Sequence, residues 1–313
     1  MKKMFLFFCC LGFVSLSLSA GGRRAAPVEP GPLRVGIMLA AESLPLMLAR
    51  DNGYFEREGV NVELVLFSNP QERDAALQAG HLDATITDLL AATFFVAAGF
   101  DFRVTSSTDG RFGFVASPQS GITQLDELRG RRLGISLNSI IQYVLDSKLE
   151  YVGISMTEYE AVSIPSVPQR VEMVLEGLVD AVGLPEPILT AAVASGATLL
   201  STTDDLGIDA TVLFFSQSVL NTRLAEVHAF YRAYYLAAQS INAAPDNFRD
   251  YLVEAAGFPA GVRDNFRFVT YRRPALPEVY QIERALGWLR ARELLTANLS
   301  PADLVDARAT TGW

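Results

Sequence analysis

The feature that most constrains the fold of this chain is a five-residue motif, Gly-x-x-Asp-Ala, that occurs twice about a hundred residues apart. The first copy begins at Gly80 and runs into "DATITD"; the second begins at Gly177 and runs into "DAVGLPE". Each copy follows a helical pattern of apolar residues and leads into a short apolar run typical of a buried strand. Because glycine closes helices in the left-handed conformation, each copy predicts a joint where a helix ends and a strand begins.

Strand and helix patterns alternate on both sides of these joints. The predicted strands are "LRVGIM", "VNVELVLFS", "DATIT", "FGFVASPQ", "RRLGIS", "YEAVSI", "VDAVGL" and "DATVLFFS". Helices are predicted to begin at the capping residues Ser43, Asn69, Asp88 and Ser139, and Glu72 completes a capping-box pattern with Asn69. This order predicts an α/β fold of two similar lobes, with parallel strands joined by right-handed crossovers.

The boundaries of the expected domains follow from these patterns. We expect a signal peptide at 1–20, a flexible tether at 21–32, lobe I at 33–110, lobe II at 111–210, and a mostly helical second part of lobe I at 211–313. The first segment has two lysines, an apolar run too short for a comfortable membrane span, and small residues near the cleavage site. A periplasmic, exported protein is therefore expected. Cleavage before Cys9 or Cys10 is the less favoured alternative, and it would leave a lipid-modified cysteine.

Charge and cysteine content narrow the classes of partner. Removing the two leader lysines from the 26 basic residues leaves 24 against 35 acidic ones, so the formal net charge moves from -9 to -11. Beyond the short basic turn at 129–132 there is no basic cluster, and nucleic acid is not an expected partner. Both cysteines lie in the leader, which leaves no disulfide or thiolate metal site in the exported chain.

Ligands of open parallel sheets bind beyond the carboxyl ends of the strands, where helix N-termini also point. In the loops at those ends, the candidate ligand-binding residues are Glu42, Ser43, Ser68, Asn69, Thr87, Asp88, Asp109, Arg111, Asn138, Ser139 and Glu186. Helix capping alone would also explain Asp88 and Ser139. His81 and His228 are the only histidines, and no common nucleophile, phosphate-loop or metal motif occurs. Binding without reaction is therefore expected, with no catalytic residue, cofactor or metal.

Several ordered motifs carry a resemblance to a known family. They are "PLMLARDNGYFEREGVNVELV", "AALQAGHLDATITD", "SGITQLDELRGRRLGIS", "LEGLVDAVGLPEP" and "LSPADLVD". Together they resemble the type II periplasmic binding proteins of ABC importers for nitrate, sulfonate, taurine and thiamine-pyrimidine precursors. The resemblance implies a monomeric clamp of two lobes, with a ligand cleft between them and hinge segments near 107–111 and 207–210. It also implies a small-molecule ligand and an ABC permease as partner.

The identity of the ligand is the most specific part of the prediction. Glu42, Asp88 and Glu186 give the expected cleft an acidic bias opposed only by Arg111, which favours a neutral or cationic molecule with several hydrogen-bond donors. Within the resembling family, an aminopyrimidine precursor of thiamine fits best. Helix N-termini favour the alternative of a sulfonate, taurine or nitrate. Two other classes share these features: an enzyme of thiamine-pyrimidine or menaquinone-precursor synthesis, and a sensory binding protein.

Overall fold

The computed structural model of the protein describes residues 31–313, apart from the side chains of residues 205 and 206. The predicted signal peptide and almost all of the predicted tether lie outside these described residues. The strands are β1 (Leu33–Met38), β2 (Val62–Phe67), β3 (Ala84–Asp88), β4 (Phe102–Ser107), β5 (Phe112–Ala116), β6 (Arg132–Ile135), β7 (Glu160–Ser163), β8 (Ala181–Pro185), β9 (Thr198–Thr202) and β10 (Thr211–Ser216). The α-helices are α1 (Leu44–Asp51), α2 (Tyr54–Arg57), α3 (Pro70–Gln78), α4 (Leu89–Ala97), α5 (Ile140–Tyr151), α6 (Val167–Leu175), α7 (Ile188–Ala194), α8 (Gln217–Thr222), α9 (Leu224–Ala243), α10 (Arg249–Glu254), α11 (Val279–Ala291) and α12 (Pro301–Leu304).

The strands form two separate five-stranded sheets. The first has the order β2-β1-β3-β10-β4 and the second the order β7-β6-β8-β5-β9. We call the half built on the first sheet lobe I and the half built on the second sheet lobe II. The predicted two-lobed α/β fold is confirmed. The expectation of wholly parallel sheets is wrong for one strand in each, because β10 and β5 run antiparallel to both of their neighbours.

The two Gly-x-x-Asp-Ala motifs form the same helix-to-strand joint in both lobes. Gly80 and Gly177 have φ angles of 73° and 71°, in the left-handed region where glycine is favoured. The Asp83 carboxylate then accepts a hydrogen bond from the backbone N–H of Arg34, the second residue of β1, at 2.8 Å. In lobe II the Asp180 carboxylate accepts the equivalent bond from Arg132 N–H, also at 2.8 Å. Each aspartate therefore sets the start of its strand beside the neighbouring parallel strand.

The two lobes share core packing and two crossing segments. The chain passes from β4 to β5 and returns from β9 to β10, so residues 108–111 and 203–210 connect the sheets. Helix α11 packs on α4 of lobe I and also reaches lobe II, where Trp288 Nε1 donates to the Asp146 carboxylate of α5 at 2.9 Å. Within residues 31–313, no helix combines the length and hydropathy needed to cross a bilayer.

Two of the predicted helix caps form and two do not. Asp88 accepts from the N–H groups of Leu90 and Ala91, and Asn69 accepts from Glu72 N–H, each at 2.9 Å. Ser43 makes no capping bond because its own backbone is helical, at φ -85° and ψ -16°, where an N-cap needs an extended backbone. Ser139 stands at the N-cap position of α5, but its hydroxyl donates backwards to the Ser136 carbonyl at 2.7 Å.

Candidate ligand-binding cleft

A cleft of about 1150 Å³ is lined by residues of both lobes. Its walls come from the ends of strands and the starts of helices, as expected for ligand sites of mostly parallel sheets. The structure brings seven of the candidate residues together in this lining: Glu42, Ser43, Ser68, Thr87, Asp88, Asn138 and Ser139. At one end of the cleft the lobes touch directly, since Ala41 N–H donates to the Glu186 carbonyl at 3.2 Å.

The lobe I wall carries the buried carboxyl group of Glu42 and the half-buried carboxyl group of Asp88. Glu42 is only 8% exposed, and burial raises the pKa of its carboxyl to about 7, although the Arg73 guanidinium opposes this shift. Burial also raises the pKa of Asp88, against the opposing effect of the hydrogen bonds from the first turn of α4. The Asp88 carboxylate adds to the raised pKa of Glu42, and the Asp74 carboxylate adds to that of Asp88. Both carboxyl groups therefore hold a proton more readily than solvated acids do, and they offer oxygen acceptors to a ligand.

Arg73 is a cleft residue that sequence reasoning missed. It lies in the first turns of α3, is 5% exposed, and donates from Nη1 to the Ile86 carbonyl and from Nη2 to Thr87 Oγ1, both at 3.0 Å. Its Nη2 also pairs with the Asp74 carboxylate at 2.8 Å. Arg73 therefore braces the end of β3 and is already neutralised by a carboxylate of its own helix.

The lobe II wall has a different character. The loop 136–139 and the first residues of α5 line the cleft, and Asn138 has a φ of 54°, a left-handed conformation that asparagine tolerates. Because Ser139 donates to Ser136, no side chain caps the N–H groups at the start of α5. Arg170 of α6 also lines the cleft and is only 2% exposed. Lobe II therefore presents hydrogen-bond donors where lobe I presents carboxyl groups.

The other four candidates lie outside the lining of this cleft, because structural bonds engage them elsewhere. Asn69 caps α3. Asp109 accepts from Arg272 Nε at 2.6 Å beside a second cavity of about 530 Å³. Arg111 donates to the Glu186 carboxylate at 3.4 Å and pairs with Asp204 at 2.8 Å. Glu186 accepts from Thr190 N–H and Oγ1 at the start of α7, and burial raises the pKa of its carboxyl.

The expected acidic bias of the cleft needs a correction. The sequence predicts Arg111 as the only opposing cation, but Arg111 lies outside the lining of the cleft, beside the second cavity, and is neutralised by Glu186 and Asp204. The cations that line the cleft are Arg73 and Arg170. A repeat-by-repeat comparison could have found this pair, since the offset of 97 residues that relates Gly80 to Gly177 also relates Arg73 to Arg170.

Comparison with known proteins assigns the family. The sequence model of the NMT1/THI5-like family matches residues 40–248, more than half of the chain. The chain belongs to the NMT1/THI5-like family. The match begins at Ala40 in the first cleft loop and runs through α9, so it includes both copies of the joint and both walls of the cleft. The predicted group of proteins is thereby confirmed.

Curated relatives of this NMT1/THI5-like chain overturn one prediction. A 4-amino-5-hydroxymethyl-2-methylpyrimidine phosphate synthase of Schizosaccharomyces pombe is 26% identical over 121 residues, which are 38% of this chain and 35% of the relative. Relatives from Saccharomyces cerevisiae and Uromyces fabae are also named as such synthases. The chain thus spans roughly two fifths of the relatives' length or less. The expectation that this protein is not an enzyme is contradicted by these names.

Solved structures of binding proteins share the fold of this NMT1/THI5-like chain. The ligand-binding component of an ABC-type import system from Staphylococcus aureus, with zinc bound, has a TM-score of 0.78 and 15% identity, over 90% of this chain and 99% of that one. The alkanesulfonate-binding protein SsuA from Xanthomonas axonopodis, bound to MOPS, has a TM-score of 0.74 and 20% identity, over 89% and 99%. At these identities the likeness concerns the fold. In residues 31–313 here, no group of three histidine, aspartate or glutamate side chains is placed to hold a metal.

Proposed function

We propose that this protein is an exported, periplasmic solute-binding protein that captures a small organic molecule between its lobes and delivers it to an ABC import permease. The observation that carries the proposal is the cleft, which takes its lining from both lobes of a fold shared with binding components of import systems. A ligand that touches both walls has a higher affinity for the closed form, and so it shifts the population towards closure. The closed monomer is then the form that docks on the permease.

The proposed ligand is an aminopyrimidine of the thiamine-precursor type. Its exocyclic amino group supplies hydrogen-bond donors, and the Glu42 and Asp88 carboxyl groups supply the acceptors on the lobe I wall. Because the pKa of Glu42 is about 7, this acceptor can meet a neutral or a protonated ring. The names of the curated relatives, which are synthases of an aminopyrimidine phosphate, also support this ligand class.

A thermal-shift screen tests the proposal. 4-Amino-5-hydroxymethyl-2-methylpyrimidine should raise the Tm of the wild type, and Asp88→Asn should weaken that rise because it replaces a carboxyl acceptor of the cleft by an amide. Glu63→Gln, at an exposed position of β2, is the matched control and should respond like the wild type. A rise in Tm with taurine, ethanesulfonate or nitrate, and with no pyrimidine, would overturn the ligand assignment.

A second candidate function is synthesis of an aminopyrimidine phosphate on the same fold. The observation that favours it is the shared name of the curated relatives. It places the same class of molecule in the cleft, so the two candidates differ in turnover rather than in site. Mass spectrometry distinguishes them after the protein has been freed of retained ligand and incubated with a cell extract from which pyrimidines have been removed. A synthase forms aminopyrimidine phosphate from precursors in the extract, and a solute-binding protein forms none.

A further inference from the structure

Arg170 occupies in lobe II the position that Arg73 occupies in lobe I. Each is the fourth residue of its helix, α3 or α6, and both are almost completely buried in the wall of the cleft. The two arginines are also related by the offset of 97 residues that relates the two joints. The folded environment of Arg73 therefore shows which partners a guanidinium needs at this position.

The partners of Arg73 are replaced by apolar residues around Arg170. At the same offset, Asp74 becomes Val171 and Thr87 becomes Leu184, so neither a carboxylate nor a hydroxyl is available at those positions. Among the described residues, Arg170 has one hydrogen bond, from Nη1 to the Ile164 carbonyl at 3.0 Å, and no ion pair. Its Nε is buried without any hydrogen-bond partner. Burial lowers the pKa of the guanidinium to about 10, which still leaves it charged at neutral pH.

An uncompensated buried cation is costly unless a ligand supplies the missing charge. Arg170 is the only charged residue that lobe II contributes to the lining within the described chain, whereas the lining carboxylates all come from lobe I. The cleft is therefore polarised from one wall to the other. A molecule that satisfies both walls has a donor-rich end for lobe I and an anionic end for lobe II.

The start of α5 supplies a second set of donors beside Arg170. Strands β6 and β7 are parallel neighbours, so the loop that leads into α5 and the loop that leads into α6 leave the sheet at the same edge. Residues of both loops line the cleft. Helix α5 has 12 residues, and no side chain caps its first turn. Uncapped N–H groups at a helix N-terminus favour an anion, in the same direction as the guanidinium.

We propose that Arg170 and the first turn of α5 form an oxyanion subsite on the lobe II wall, which binds a phosphate or sulfonate group of the solute. The guanidinium donates from the N–H groups of its terminal nitrogens that the Ile164 carbonyl does not use, and the helix donates from its backbone N–H groups. The assignment of the ring rests on the proposed function. The solute is then an aminopyrimidine that carries such a group, and its ring contacts the carboxyl groups of lobe I.

Calorimetric titration of the full chain tests the subsite with two probes, 4-amino-5-hydroxymethyl-2-methylpyrimidine and its phosphate ester. The ester should bind the wild type about 10-fold to 100-fold more tightly than the parent, as expected for hydrogen bonds to a charged group. Arg170→Gln should remove this advantage, so that the variant binds the ester and the parent with similar affinities. Arg129→Gln removes a cation of lobe II that is outside the cleft, paired with Glu158, and it should keep the advantage.

Ser139→Asp separates a loss of binding from a loss of folding. A carboxylate at this N-cap position stabilises α5, so the Tm without ligand should rise. The same carboxylate competes with the oxyanion, so the advantage of the ester should fall. A variant with a higher Tm and the full advantage of the ester would overturn the subsite, and so would an ester advantage that persists in Arg170→Gln.

Inorganic phosphate distinguishes failure of the subsite from failure of the proposed function. If neither pyrimidine binds but phosphate raises the Tm of the wild type and not of Arg170→Gln, the subsite holds and the pyrimidine assignment falls. If the parent pyrimidine binds, but Arg170→Gln changes neither the affinity for the ester nor the Tm shift with phosphate, the proposed function holds and the subsite is wrong. If no probe binds, both are wrong.

Discussion

The Glu42 carboxyl is buried in the cleft wall with a pKa of about 7, compared with 4.5 for the ordinary group. Between these two values the folded protein holds a proton that the unfolded chain has lost, so stability falls as the pH rises. The contribution is fully present below a pH of about 4.5, and it is lost as the pH passes through about 7. The loss amounts to roughly 3 kcal/mol of unfolding free energy.

Glu42→Gln removes this titration, so the variant should gain stability relative to the wild type between pH 5 and pH 8, by roughly 2–3 kcal/mol. Urea unfolding at the two pH values measures the change. Glu63→Gln, on the exposed face of β2, should follow the wild type at both values. A difference between Glu42→Gln and the wild type that is the same at pH 5 and pH 8 would contradict the buried, protonated carboxyl.

At the same scale, the sequence predicted some residues of the cleft lining and missed others for a physical reason. Loop position was enough to place Glu42, Asp88 and Ser139 at the cleft, because strand ends meet at one edge of a sheet. Arg73 and Arg170 lie inside helices, where an isolated arginine is usually a solvated charge. Their burial depends on tertiary packing, which a single sequence pattern does not reveal.

At the scale of elements, the helix-to-strand joint is the part of the fold that the sequence predicted best. Gly80 adopts its left-handed φ with nothing within 4 Å of the position of an added Cβ, so its conformation rather than crowding requires glycine. Gly80→Ala should therefore lower the unfolding free energy by about 1 kcal/mol. Gly287, inside α11, also has an open Cβ position but a helical backbone.

Gly287→Ala is thus a matched control of opposite sign, and it should raise the unfolding free energy by up to about 1 kcal/mol, since alanine is the better helix former. Urea unfolding of both variants at one pH gives the comparison. Two variants that shift stability in the same direction would contradict the assignment of the joint.

Strand direction was the element-level property that the sequence did not show. Alternation of strands and helices predicts parallel pairing, yet β5 and β10 are the strands entered from the crossing segments, and they run against their neighbours. Their sequences, "FGFVA" and "TVLFFS", are as apolar as those of central parallel strands. Direction depends on which lobe the chain comes from, and that is a property of the whole topology.

At the scale of the whole molecule, the two crossing segments are tied by one side chain. Arg272 donates from Nε to Asp109 at 2.6 Å and from Nη2 to Asp209 at 2.7 Å, and these two aspartates lie in different crossings. The predicted hinge positions near 107–111 and 207–210 coincide with the segments that Arg272 joins. Motion of the lobes about these segments is what the proposed capture mechanism requires.

The distance between the lobes tests the central claim most directly. In a chain with Cys9→Ser and Cys10→Ser, spin labels at Glu63→Cys on β2 and Glu160→Cys on β7 report on exposed strands of lobe I and lobe II. Pulsed dipolar spectroscopy should show a shift of the label–label distance distribution when 4-amino-5-hydroxymethyl-2-methylpyrimidine is added, and the same shift should need a higher pyrimidine concentration when Asp88→Asn is also present. An unchanged distribution at millimolar pyrimidine would contradict capture of this solute by closure of the two lobes.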